Sequence, residues 1–499
     1  MTVETSSSLR ARAGDDMQEP DYPPVGRTVL RLPRALFDRM HADLARPHPF
    51  AFERIGFVTV RGSHAANGVE VLIAAEYFSI LDDEYVESRG AGARIGGDAI
   101  RRMLTEALSR KCGVLHVHAH RHSGVPAFSA TDRREQPRLI ESLRAIEPTS
   151  SHGMLVLSDD EANAWIWEPG SPSHAVPTRI SIVGYPLTIL SGSQLANDVA
   201  DTFTVAGAPR SSNVADDDAA AEPAQVCEGE RHSRQTFLGS DSTRQLATVR
   251  VGLIGYGGGG SHIGQQLAHL GIKHVRIADG DVVEESNLNR LVGATERDVE
   301  LATTKVDVAV RVLKAVDHSM ELVTHAGRWQ EAVELFRDCD VLIGCVDTFA
   351  ERRDLEIFSR RHAIAYIDIG MDVHELEDAA PRMAGQVILS MPDEPCMWCL
   401  GFLTADRVAR EAAQYGAAGS RPQVVWPNGI LASSAIAVLV DLVTGWTRRT
   451  NVRVYLSYDG NLGTLTPHSR LPFVGKTSCS HFSSSGVGTP VFLPLAITS

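Results

Sequence analysis

The stretch from Val249 to Arg290, VRVGLIGYGGGGSHIGQQLAHLGIKHVRIADGDVVEESNLNR, limits the fold of this chain more than any other. Val249 to Ile254 is a short, largely apolar run of the kind buried on both faces of a parallel sheet. Gly255, Gly257, Gly258, Gly259 and Gly260 then let the backbone turn sharply and come close to a ligand. Ser261 is expected to open a helix whose free N–H groups and dipole favour a phosphate. Val275 to Ala278 reads as the next strand, and Asp279 at its end is placed to accept a ribose hydroxyl. A chain with this order of elements builds an α/β layer with a nucleotide at the turn.

Gly255, Gly257 and Gly260 suit NAD or ATP equally, so the residues beyond the turn decide the chemistry. Asp281, Asn287, Asn289 and Arg290 follow at once, then Lys305 in ATTKVDVAV and Asp347 in VLIGCVDTFAERR. Lys305 is a cation suited to phosphate oxygens. Asp347, ending an apolar strand, is a carboxylate suited to Mg²⁺. Carboxylates, amides, an arginine and a lysine around a phosphate loop fit nucleotidyl transfer better than hydride transfer.

Roughly from Arg231 to Pro467 the chain resembles the ThiF/MoeB and ubiquitin-activating enzyme family. RHSRQ at Arg231 to Gln235 is similar to the family's entry motif, which assigns to Arg234 a reach into the triphosphate of a partner subunit and implies a homodimer. The resemblance further implies that Asp279 binds ribose, that Asn287, Arg290 and Lys305 contact the phosphates, and that Asp347 binds Mg²⁺. It implies a Rossmann-like, doubly wound ATP-binding domain that adenylates the C-terminal glycine carboxylate of a ubiquitin-like or sulfur-carrier protein. A conjugating enzyme or a sulfur donor would be the next partner.

The chain has seven cysteines. Cys396 and Cys399 form C-x-x-C after GQVILSMPDEP, a setting suited to a structural Zn²⁺. The family completes such a site with a second C-x-x-C, whereas this chain offers Cys479 and His481 in TSCSHF, an unusual spacing. Cys339 and Cys345 belong to or flank an apolar strand, Cys112 precedes one, and Cys227 falls in a polar stretch. The segment from Phe402 to Gly429, where the family carries its thioester cysteine, contains none. Adenylation without a resident thioester is the expectation.

The first half carries a different chemistry. CGVLHVHAHRHSGVPAFSATD, Cys112 to Asp132, reads as a strand running into His118-Ala-His120, then a loop, then Ser129-Ala-Thr131-Asp132. Alternate strand residues point the same way, so His118 and His120 can hold one metal ion, with Asp132 as third ligand and an open fourth position for water. Glu53 in FAFERIGFVTV is the candidate base, with Glu70 and Glu76 as alternatives, and His116-Val-His118 is an alternative ligand pair. These residues resemble the JAMM (JAB/MPN) metallopeptidases. The resemblance implies catalytic Zn²⁺ on His118, His120 and Asp132, Glu53 as general base, and Ser129 as oxyanion support. The loop before Ser129 is one residue longer than the commonest family spacing, and Arg121 replaces its usual proline.

The organisation expected is a flexible N-terminus (1–26), a JAMM-like α/β domain (27–190), a flexible linker (191–230), the ThiF-like domain (231–470) and a C-terminal extension (471–499). In the first domain Ile100, Met103, Leu104 and Leu108 have helical spacing and are expected to face a sheet. Net charge is −14, which disfavours nucleic acid and anionic membranes as main partners. No apolar run reaches bilayer-spanning length without interruption, no secretory signal is visible, and cysteines are few, so a reducing cytoplasm is the expected location.

Overall fold

The structure, a computed structural model, describes residues 28–47, 53–86, 92–190, 230–376, 379–413, 422–450, 452–475 and 479–482. The segments expected to be flexible, 1–26 and nearly all of 191–230, lie outside these residues, as does Cys227.

The first unit is an eight-stranded sheet in the order β6-β5-β4-β2-β3-β1-β7-β8. Its strands are β1 (Thr28–Pro33), β2 (Ile55–His64), β3 (Glu70–Ser79), β4 (Gly113–Ala119), β5 (His152–Leu157), β6 (Ala162–Trp167), β7 (Arg179–Val183) and β8 (Thr188–Ile189). Helices α1 (Arg34–Leu44), α2 (Gly97–Arg110) and α3 (Ala130–Ile146) accompany it. In α2 the buried face is Ala99, Met103 and Ala107, while Leu108 is 56% exposed. The expected face is thus rotated: small alanines let the helix approach closely, and Leu108 falls on the outside.

The second unit is also eight-stranded, in the order β11-β10-β9-β12-β13-β14-β15-β16. The strands are β9 (Arg250–Ile254), β10 (His274–Ala278), β11 (Glu321–His325), β12 (Val341–Gly344), β13 (Ala365–Leu376), β14 (Ala379–Ser390), β15 (Val454–Asp459) and β16 (Thr464–Pro467). Pairing from β11 through β13 is parallel and from β13 to β16 antiparallel. Its helices are α4 (Ser242–Thr248), α5 (Gly258–Leu270), α6 (Glu296–Glu300), α7 (Lys305–Val316), α8 (Phe349–Arg361), α9 (Ala405–Ala413) and α10 (Val425–Thr444). Strand order reverses between β9 and β12, and in such sheets a ligand crevice opens at the carboxyl ends of the strands at that point. The architecture is mixed α/β with a Rossmann-like sheet. Helix α10 is apolar enough to cross a membrane by composition, but it is mostly buried, with Leu431, Ala432, Ala435 and Leu439 in the core behind β13 and β14.

The two units share a packed boundary. Val183 and Leu187 of the first belong to the hydrophobic core of the second, and the Leu187 N–H donates to Leu442 O at 2.8 Å. Arg179 donates through Nε to Asp340 at 3.2 Å, both residues being buried. Removing one member of such a pair strands the other charge. Arg179→Met is therefore expected to cost about 3–5 kcal/mol, measured as a fall in the denaturant midpoint.

Candidate nucleotide and metal sites

The turn after β9 is tight for a stated reason. Gly255 has φ +88°, and a Cβ there would stand 2.6 Å from Cys345 O. Helix α5 begins at Gly258, three residues before the expected start, so its free N–H groups belong to the glycines. Ser261 is buried in the next turn; its hydroxyl donates to Gly258 O and accepts the Val292 N–H at 3.0 Å. It pins the polar loop to the helix and is not turned to a ligand. Gly260 packs on the Gly255 carbonyl, which leaves no room for a side chain.

Beyond the turn lies a cavity of about 350 Å³. Gly255, Gly257, Gly258, Asp279, Asp281, Asn287, Arg290, Lys305 and Asp347 all line it. Asp279 accepts the Tyr256 N–H at 2.6 Å and the Asp281 N–H at 2.9 Å. Burial pushes its carboxyl above the ordinary range. Lys305 is buried, with Nζ 2.6 Å from Asp281 Oδ2. Asn287 Oδ1 accepts the Glu284 N–H, which shapes the polar loop, while Arg290 Nη1 donates to Ser286 O at 2.6 Å. Asp347 lies three residues beyond β12, where its Oδ1 accepts from Gln423 at 3.3 Å. Cations and carboxylates together in one lining suit a polyphosphate with its divalent ion.

Four predicted residues do not line this cavity: Gly260 and Ser261, which serve the turn as described, and Asn289 and Arg234. Asn289 does not line it; its Nδ2 donates to Gln423 O at 3.0 Å and so braces the far wall. Arg234 is exposed on a 3₁₀ helix, Glu230–Leu238, away from the lining. Among the lining residues that escaped the sequence reading are Arg352, Gln423 and Asn428. Arg352 hides in the charged run AERRDLE. Asn428 did leave a trace, an amide near the start of a mostly apolar helix.

The sequence matches the ThiF family over residues 230–480, half of the chain. The chain belongs to the ThiF family. It is 34% identical over 130 residues to the adenylyltransferase and sulfurtransferase uba4 of Aspergillus clavatus, covering 25% of this chain and 26% of that protein. It is 29% identical over 215 residues to the SAMP-activating enzyme E1 of Haloferax volcanii, covering 42% of this chain and 74% of that protein. With the sulfur carrier protein ThiS adenylyltransferase of Bacillus subtilis it shares 31% identity over 176 residues, 34% of this chain and 50% of that protein. The match thus spans about a quarter of the length of the fungal relatives.

The ThiF-family unit also holds a four-ligand cluster. Ligand atoms of Cys396, Cys399, Cys479 and His481 all lie within 4.8 Å of one another. Cys399 Sγ is 3.6 Å from Cys396 Sγ and from Cys479 Sγ, and 3.3 Å from His481 Nδ1. Tetrahedral ligands at ordinary Zn–S and Zn–N lengths stand about 3.5–3.8 Å apart, close to these separations, so the donor set suits zinc. Cys339 and Cys112 are buried core thiols, and Cys345 lines the nucleotide cavity.

In the first unit β4 and its continuation line up His116, His118 and His120, with successive ring centroids 5.8 and 5.1 Å apart. His118, His120 and Glu53 bring their ligand atoms within 4.8 Å of one another. His118 is 1% exposed and neither of its ring nitrogens makes a hydrogen bond, an arrangement that suits a metal. Burial lowers its pKa to about 4, which keeps the ring in its neutral, ligating form. His116 instead packs on Phe57, outside the cluster. Burial, reinforced by Asp132, pushes the Glu53 carboxyl up to about 7.

Asp132 Oδ2 stands 3.6 Å from His118 Nε2 but does not fall in the set shared by Glu53 and His120. It accepts both the N–H and the hydroxyl of Ser129, at 2.8 and 2.7 Å, as the cap of α3. Ser129 therefore spends its hydroxyl on the helix cap. The alternative bases serve elsewhere: Glu70 accepts from Ser151 and Glu76 pairs with Arg110. Gly92 is the neighbour that sequence reasoning did not find, since its carbonyl accepts the Glu53 N–H at 3.2 Å and a Cβ on it would overlap the Glu53 carboxylate.

Proposed function

We propose that the ThiF-family unit adenylates the C-terminal glycine carboxylate of a ubiquitin-like or sulfur-carrier protein, and that the first unit is a zinc peptidase acting on such tails. The convergence of Asp279, Arg290, Lys305 and Asp347 on one cavity beside the glycine turn carries the reading. The relatives named as adenylyltransferases and as a SAMP-activating enzyme support it. The substrate carboxylate forms a bond to the α-phosphorus of ATP as the bond to pyrophosphate breaks. It is already a nucleophile, so the protein's work is positioning and charge neutralisation. Asp279 would hold the ribose, Arg290 and Lys305 the phosphates, and Asp347 a Mg²⁺ that supplies further positive charge. The partner subunit's Arg234 would complete the site in a homodimer.

The test is ATP–pyrophosphate exchange with a panel of Gly-Gly-ended carriers. Exchange that depends on the terminal Gly-Gly supports the reading, and exchange driven by no carrier would sink it. A sulfur donor or conjugating enzyme would consume the adenylate.

In the first unit His118, His120 and Asp132 would hold Zn²⁺, which when bound polarises a carbonyl and acidifies water. Glu53 then accepts a proton from the attacking water and passes it to the leaving amine. Gly92→Ala is expected to keep the zinc but cut hydrolysis of a Gly-Gly fusion about a hundredfold, because the base is displaced and not removed. Zinc analysis of the whole chain should find about two ions, falling to about one in His118→Ala/His120→Ala. A second reading, an adenylating ligase of a peptide or small acid with the first unit as scaffold, is favoured by the commitment of Ser129 and Asp132 to the helix cap. Under that reading the double variant loses no zinc.

A further inference from the structure

The nucleotide cavity is shaped at the carboxyl ends of the second sheet, but two of its elements are held at their other ends by the first unit. Arg31, in β1, is fully buried. Its Nη2 donates to Cys339 O at 2.6 Å and its Nη1 to His362 O at 2.7 Å. Cys339 stands just before β12, and His362 is the residue that ends α8. Asp347 lies in the short connection between those two elements.

One guanidinium therefore closes the base of a strand–helix unit whose upper turn carries Asp347. The contact at the helix end is favourable twice over, because a cation there meets both an unpaired carbonyl and the negative end of the helix dipole. The opposite end of α8, capped by Thr348, presents Phe349, Glu351 and Arg352 to the cavity. Arg352 ties that end down by donating to Val346 O and Ile369 O. Neighbouring contacts keep the base dry: Ser63 Oγ lies 3.5 Å from His362 Nδ1, and Ala65 shares a small core with Ala363. A helix of this length spans about 20 Å and moves as a rod, so a shift at its base reaches the cavity.

We infer that Arg31 is a positioning residue of the adenylation site, fixing Asp347 through β12 and α8 from across the boundary between the units. The inference rests on the reading of Asp347 given above.

Calorimetric titration of the full chain with Mg·ATP and with metal-free ATP tests it. Arg31→Met is expected to weaken Mg·ATP binding about tenfold while metal-free ATP binding stays within about twofold. Asp347→Asn is expected to weaken Mg·ATP binding as well, and adding Arg31→Met to it should change nothing further, since the two act in series. Additive losses in the double variant, or equal losses with and without Mg²⁺, would mean general damage and overturn the inference. So would wild-type Mg·ATP binding in Arg31→Met. If Asp347→Asn itself binds Mg·ATP normally, the reading of the cavity fails first and the inference falls with it. Should Arg31→Met not fold, Arg31→Lys, which keeps a cation able to reach one carbonyl, decides by the same criteria with a smaller expected loss.

Discussion

Asp347→Asn is expected to lower ATP–pyrophosphate exchange about a thousandfold and to leave thermal unfolding nearly unchanged. The side chain lies at the rim of the cavity, with Gln423 at 3.3 Å from its Oδ1. Loss of its charge therefore removes little packing. What it removes is a carboxylate that lines the same cavity as Lys305 and Arg290. On the proposed reading the divalent ion then loses its anchor, and the charge on the leaving pyrophosphate would be left to Lys305 and Arg290. One of them, Lys305, is already shared with Asp281 at 2.6 Å. A loss below about tenfold at saturating Mg²⁺ would show that Asp347 is not the metal anchor. A large loss accompanied by a large fall in melting temperature would assign it a structural part instead.

The second large effect concerns stability. Cys399→Ser should release about one zinc ion per chain and lower the melting temperature by about 10 °C or more, because structural zinc binding supplies folding free energy directly. The reason lies in how the cluster is tied to the core. The Met397 N–H donates to buried Glu356 Oε1 at 2.7 Å, and Arg360 Nη1 donates to Glu394 O at 2.9 Å. Phe482 packs beneath the Arg360 guanidinium at 5.6 Å. Both Glu356 and Arg360 sit on α8. The described stretch Cys479–Phe482 thus meets the core through the cluster, through this contact and through His481 beside Trp398, with ring centroids 6.0 Å apart. Unchanged zinc content in Cys399→Ser, or loss of zinc with no change in melting, would refute a structural role for the ion.

Much of the nucleotide cavity was legible because its determinants are local. The glycine turn, Asp279, Arg290 and Lys305 fall on successive elements of one crossover, so reading along the chain nearly equals reading around the site. Ser261 shows the limit. Local pattern made it the first helical residue, but Gly258 takes that place, since the turn needs its glycines inside the first helical turn, close to Asn428. Gln423 comes from more than a hundred residues later and nothing in its neighbourhood advertises a ligand, while Asn428 offers only an amide in a mostly apolar stretch. The same holds for Gly92, whose relation to Glu53 exists only after β2, β3 and the segment leading from β3 to α2 have folded. His481 was an open question from spacing alone. Its Nδ1 closes the cysteine cluster because the chain turns back at Ser480, a geometry that an i, i+2 spacing leaves undetermined.

The shared core has a practical bearing on how this protein can be handled and on how it came to be one chain. Fused enzymes are commonly pictured as beads that a protease or a cloning boundary can part. Here Val183 and Leu187 fill positions in the interior of the ThiF-family unit. A chain beginning at residue 230 would carry a hole there and a bared apolar wall, and its missing partner would expose the matching surface. Neither piece is expected to behave as a free-standing enzyme. Parting the two units would therefore require rebuilding the interior of each piece.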